Sequence, residues 1–265
     1  MIFKENRLFV FILCFFCFVF SSSCLAYDIK PYTEQLPPSQ NQRSLKLVFC
    51  PLNYSSKEDF LKDVGFLIQR LKKTSPFEEV SDKIGFYYVD LKEEEKSIFK
   101  ETNSFPPLGV RRDFLDGILS YLKSKYKLVI IDASGSVSCA ELSSIDKLSL
   151  IILGKARYSQ SGSFAKGFLH ELGHSLGVHD ECVDCQQLSP VGEPNCATNK
   201  EEAQKWWGDL VGKSPEVNYI RGCCGNKNYI RPTIASLMND PDKAEDFGLV
   251  NERYLRKILE GWEKW

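Results

Sequence analysis

Apolar positions in this chain recur with two periods, and the two alternate along most of its length. Leu45 to Cys50 is a short β-prone apolar run, and Ser56 to Lys73 then places Phe60, Leu61, Val64, Leu67, Ile68 and Leu71 on one helical face. Ile84 to Val89 reads as a second strand, and residues 91–108, charged and then proline-bearing, predict a surface excursion. A second amphipathic helix over about Arg112 to Tyr126 runs through Phe114, Leu115, Ile118, Leu119 and Leu122 into a strand at Leu128 to Asp132. A Ser-rich link, 133–144, leads to another apolar run at Leu148 to Leu153. Strands alternating with helices predict an α/β fold, a mostly parallel twisted sheet covered by helices.

The pattern then changes. After a polar stretch at Tyr158 to Ser163, suited to the rim of a cleft, Phe164, Phe168, Leu169, Leu172 and Leu176 form the buried stripe of a further helix. Beyond Glu181 the periodicity stops. Residues 182–235 are rich in Cys, Gly, Asn and Pro, with one helical stretch near Glu201 to Leu210, and a last amphipathic helix runs from about Val250 to Trp262. The expected organisation is one domain over 45–265, with an N-terminal subdomain 45–177 and a smaller loop-rich C-terminal subdomain 178–265. No internal repeat is visible.

The first residues are different in kind. Lys4 and Arg7 precede the apolar run Leu8 to Phe20, and Ser21-Ser22-Ser23-Cys24-Leu25-Ala26 follows, which is the layout of a secretory signal peptide over 1–26. A lipoprotein site at Cys24 is the alternative, although Ser21 stands where such signals carry leucine. Residues 27–44, proline-bearing and polar, read as a flexible leader. The mature protein is thus expected outside the cytoplasm, with no transmembrane segment. Export makes disulfides the expected state of Cys50, Cys139, Cys182, Cys185, Cys196, Cys223 and Cys224, an odd set that leaves at least one thiol over. A metal ion held by Cys182, Cys185, Cys196 and the Cys223-Cys224 pair is the competing reading of these cysteines. A net charge of −1 over 265 residues offers no electrostatic footprint for nucleic acid.

The chemistry lies in His170-Glu171-Leu172-Gly173-His174-Ser175-Leu176-Gly177-Val178-His179-Asp180-Glu181, which contains all three histidines of the chain. Four residues apart on a helix, His170 and His174 share a face and can direct two imidazoles at one metal ion. Glu171 falls beside the ion and can take the proton of a water whose pKa zinc lowers to about 7. Gly177 is where the helix can stop, and by spacing a third ligand follows from His179 or Asp180.

This stretch resembles the metzincin clan of zinc metallopeptidases, whose pattern His-Glu-x-x-His-x-x-Gly-x-x-His/Asp implies Asp180 as the third ligand. Ser236-Leu237-Met238 resembles the Met-turn beneath the zinc of that clan, which implies a structural role for Met238. Within the clan, Pro76-Phe77, Ile84 to Asp90, the zinc stretch with Asp180-Glu181, Trp207, and Tyr229-Ile230-Arg231-Pro232 ahead of Met238 are similar, in the same order, to the bacterial IgA-peptidase-like metallopeptidases. Their usual string has one more residue between the glycine and the Asp-Glu pair, and Asp240 stands where some metzincins carry an oxyanion-stabilising tyrosine. The resemblance implies a metzincin-like sheet with the zinc helix at the cleft, and a strand over Leu148 to Gly154 that holds extended peptide at the sheet edge. Together with the signal-like N-terminus it implies an exported zinc endopeptidase with one catalytic Zn²⁺, held by His170, His174 and Asp180, with Glu171 as base and a protein or peptide as substrate, and the mature chain is expected to be a monomer. Two rivals are a zinc amidase acting on cell-wall peptide and an inactive, disulfide-stapled binding protein.

Overall fold

The computed structural model describes residues 27–32, 45–91, 97–101, 108–142, 147–158, 161–183 and 192–262. The signal peptide, Cys185 and most of the expected leader lie outside these residues. The central sheet contains β1 (Asp28–Pro31), β2 (Leu45–Leu52), β3 (Ile84–Asp90), β6 (Lys127–Asp132), β7 (Cys139–Ala140) and β8 (Ser149–Gly154), in the order β1-β3-β2-β6-β8-β7. The four inner strands are mutually parallel, and β1 and β7 run antiparallel at the two edges. A hairpin of β4 (Phe99–Glu101) and β5 (Leu108–Val110) occupies the expected surface excursion.

Side-chain alternation divides the inner strands between two cores. Leu45, Leu47, Phe49, Val129, Ile131, Ile151 and Leu153 face one side, where α1 (Lys57–Leu71) and α3 (Ser161–Ser175) bury Phe60, Val64, Leu67, Phe168, Leu169 and Leu172 against them. Val48, Cys50, Leu128, Ile130 and Ile152 face the other, covered by Phe114, Ile118 and Leu122 of α2 (Arg112–Leu122). Burial on both faces is why these strands read as continuous apolar runs instead of alternating ones.

Two expectations are corrected at the edges. The leader is not wholly outside the fold, since Asp28–Pro31 pairs with β3 and the Tyr27 ring packs edge-on against Phe114 with centroids 4.7 Å apart. Pro31 is tolerated there because the outer side of an edge strand needs no donor. The run at Leu148 to Gly154 is not the sheet edge, because the two-residue β7 pairs outside it, Cys139 opposite Ile152 and Ala140 opposite Ile151. A strand of two residues in a Ser-rich link has no period to read.

The C-terminal part holds α4 (Lys200–Trp207), a hairpin of β9 (Ile220–Cys223) and β10 (Asn226–Arg231), and α5 (Leu249–Trp262). Trp207, Ala203, Val217 and Val250 form its small core. Leu237, Met238, Phe247, Leu255 and Leu259 instead join the larger core under α1 and α3. Cys196 is bonded to Cys223, which removes two thiolates from any second zinc site, and Cys182 is also disulfide-bonded. Cys50 and Cys139 are buried free thiols. Among the described residues no helix is long and apolar enough to cross a membrane.

Candidate metal centre

Helix α3 enters the core by its apolar stripe and so carries His170, Glu171 and His174 on its border. It ends because Gly177 adopts φ +94, which lets the chain fold back, with Val178 N–H donating to the Gly173 carbonyl at 3.0 Å. That reversal brings the residues after the helix alongside its last turn. Asp180 Oδ1 comes to 3.5 Å from His170 Nε2 and 3.3 Å from His174 Nε2, and the two Nε2 atoms are 3.1 Å apart. His179 goes elsewhere: its ring lies over Gly192, where an added Cβ would sit 3.2 Å from Nε2.

The other ring nitrogens fix the imidazoles. His170 Nδ1–H donates to the Leu237 carbonyl at 2.7 Å and His174 Nδ1–H to the Val178 carbonyl at 2.8 Å. A neutral imidazole that donates from Nδ1 presents a lone pair at Nε2. Two Nε2 lone pairs and a carboxylate oxygen therefore converge on one point, a set of three acceptors that only a cation can reconcile. The separations suit zinc, since a tetrahedral ion with ligands at about 2.0–2.1 Å needs them about 3.3–3.4 Å apart. The side chains of His170, His174 and Asp180 are 16%, 12% and 19% exposed, so the point is open to solvent from one side.

Left to themselves these groups share a proton. Burial opposes a charge on His174, but the hydrogen bond and charge of Asp180 outweigh it and lift its pKa to about 9. His170 is pressed down to about 4 by burial and by its charged neighbour. Glu171, buried beside the histidines, is pushed up to about 7, chiefly by desolvation. Its carboxylate and the two imidazoles lie within 4.8 Å of one another.

Met238, fully buried, packs against the turn of α3 between the two histidines, where a Cβ on Gly173 would stand 2.8 Å from its Sδ. Asp240 pairs with Lys243 at 2.8 Å on the surface. Glu181, the residue after Asp180, is fully buried and accepts from Asn195, Asn251 and Ser236 at 3.0, 2.7 and 2.6 Å. The three donors come from 14, 70 and 55 residues away, and nothing in the sequence pairs them with it.

No family model matches the chain, and no curated protein matches it. Among solved structures the chain is similar to archaemetzincin from Methanopyrus kandleri, with 12% identity over 85% of this chain and 99% of that one and a TM-score of 0.38. A likeness of that size carries no weight for function, which rests on the geometry of the centre.

Proposed function

We propose that the protein is a zinc-dependent endopeptidase exported from the cytoplasm. The convergence of His170 Nε2, His174 Nε2 and Asp180 Oδ1 within 3.5 Å, with both Nδ1–H groups committed to backbone carbonyls, carries the reading. These three side chains would hold the ion. Zinc, when bound, supplies Lewis acidity that activates a water and polarises a scissile carbonyl. Glu171 takes the proton of the attacking water on its carboxylate and passes it to the leaving amine. Met238 supports the helix turn from beneath.

The substrate class, protein or extended peptide, and membership of the IgA-peptidase-like family rest on the sequence resemblance. β7, now the outer strand, is the edge on which such a peptide would lie. Export rests on the signal-like N-terminus, and the Cys196–Cys223 bridge is in keeping with it. The test is to purify residues 27–265, measure zinc per chain, and compare casein cleavage by the wild type and Glu171→Ala. The reading expects one zinc in both and activity lower by about 10²-fold or more in the variant. A variant with full zinc and full activity would show that Glu171 is not the base.

A further inference from the structure

We infer that Asn195 is the positioning residue that fixes the stance of Asp180, which makes the cystine-braced loop around it part of the apparatus that holds the metal. The inference builds on the zinc reading above. His170 and His174 are placed by helix α3, but Asp180 lies past the helix end, in a segment with no regular structure of its own. Fixing such a residue costs backbone entropy, so an unsupported loop would hold its carboxylate poorly.

The segment is clamped instead at nearly every backbone group. His179 N–H donates to Asn195 Oδ1 at 3.0 Å, and Asn195 Nδ2 donates to the His179 carbonyl at 2.8 Å. The Asp180 carbonyl accepts from Cys224 N–H at 3.2 Å and from the Cys224 thiol at 3.3 Å. Glu181 N–H donates to the Met238 carbonyl at 2.8 Å, and the Glu181 carbonyl accepts from Arg231 Nη1 at 2.6 Å. Asn195 alone grips both backbone groups of His179 and, through the same Nδ2, the Glu181 carboxylate at 3.0 Å. Only Asn and Gln present an acceptor and a two-hydrogen donor on one planar head, and Asn carries it on the shorter stem. Asn195 is fully buried, so nothing in solvent can replace those bonds.

The position of Asn195 is in turn set by the Cys-rich segment. Gly192 and Cys196 exchange backbone bonds at 2.9 and 3.2 Å on either side of it, and Ala197 does the same with Ile230 at 2.9 and 2.8 Å. The Cys196–Cys223 bridge then joins this arm to the one that carries Cys224. One disulfide therefore ties together the two arms that hold residues 179–181 from either side.

The test measures zinc affinity by chelator competition and the visible spectrum of the cobalt(II)-substituted mature chain, for the wild type, Asn195→Ala and Asn195→Asp. Leu122→Ala, in the core on the other face of the sheet, serves as a control that loses stability far from the centre. Asn195 touches no ligand and acts through the residues on either side of Asp180, so the loss expected is up to about 10-fold in affinity, the low end of what removing a direct partner of a ligand costs, with shifted cobalt bands, in both Asn195 variants but not in Leu122→Ala. Asn195→Asp keeps the shape but lacks both donors and faces Glu181, so it is expected to be no better than alanine. Should Asn195→Ala fail to fold, the double variant Cys196→Ser/Cys223→Ser, which removes this bridge and no other, is expected to show the same weakening. Asn195 variants with wild-type affinity and spectrum, or a Cys196→Ser/Cys223→Ser protein that binds as tightly as the wild type, would overturn the inference while leaving the zinc reading intact. A wild type that takes up no zinc would overturn both.

Discussion

Gly173→Ala probes the contact between the zinc helix and Met238. The site is a helix interior, where alanine is favoured over glycine by about 1 kcal/mol. Against that, the new methyl would stand 2.8 Å from Met238 Sδ and 3.0 Å from Phe247 Cε1, and both side chains are fully buried. Overpacking of this kind costs about 1–3 kcal/mol. The net expectation is a loss of about 0–2 kcal/mol, small because the two effects oppose. A double-mutant cycle separates them. In a Met238→Ala background, itself about 2–5 kcal/mol less stable, the sulfur is gone and only the 3.0 Å contact with Phe247 remains, so the same Gly173→Ala change is expected to range from neutral to stabilising by about 1 kcal/mol. The coupling, about 1–3 kcal/mol, is read from urea unfolding of the metal-free protein at constant m-value. If Gly173→Ala has the same effect in both backgrounds, Met238 does not press on the helix at that turn, and its support of the histidines loses its basis.

Asp180→Ala is expected to weaken zinc binding by at least about 10-fold, whereas His179→Ala, whose ring faces Gly192, keeps it within a few-fold; equilibrium dialysis that gave the reverse order would reassign the third ligand. Zinc uptake at about pH 8 is expected to release close to one proton per ion, because metal-free His174 holds its proton up to about 9 while zinc needs the neutral imidazole, and calorimetry in buffers of different ionisation enthalpy reads that release. The sign is that of a raised pKa: the protonated His174–Asp180 pair stabilises the metal-free fold fully below the ordinary 6.5, and this contribution is lost as pH rises through about 9. Glu181→Ala leaves the buried donors of Asn195, Asn251 and Ser236 without their acceptor, at about 1–3 kcal/mol each, so thermal unfolding is expected to drop by at least about 6 °C; an unchanged midpoint would contradict the network.

Local pattern sufficed for what is local. The i,i+4 spacing of His170 and His174 and the apolar stripe of α3 are properties of one helix, and the run at Leu128 to Asp132 is buried on both faces wherever it sits in the sheet. The stop at Gly177 needed only a residue able to take positive φ. What depends on chain returning from far away was beyond reach. Whether His179 or Asp180 faces the imidazoles depends on which way the post-helix loop turns, and that is decided by Asn195, Cys224, Met238 and Arg231, 15 to 58 residues after Asp180. The edge position of β7 and the entry of Asp28–Pro31 into the sheet follow from pairing partners, which hydrophobic period does not encode. Helical spacing alone puts two imidazoles and the Glu171 carboxylate on one border of α3, because residues four apart share a face whatever surrounds them. The stance of Asp180 came only from the packed fold, because a residue outside regular structure is held only by the groups that fold against it.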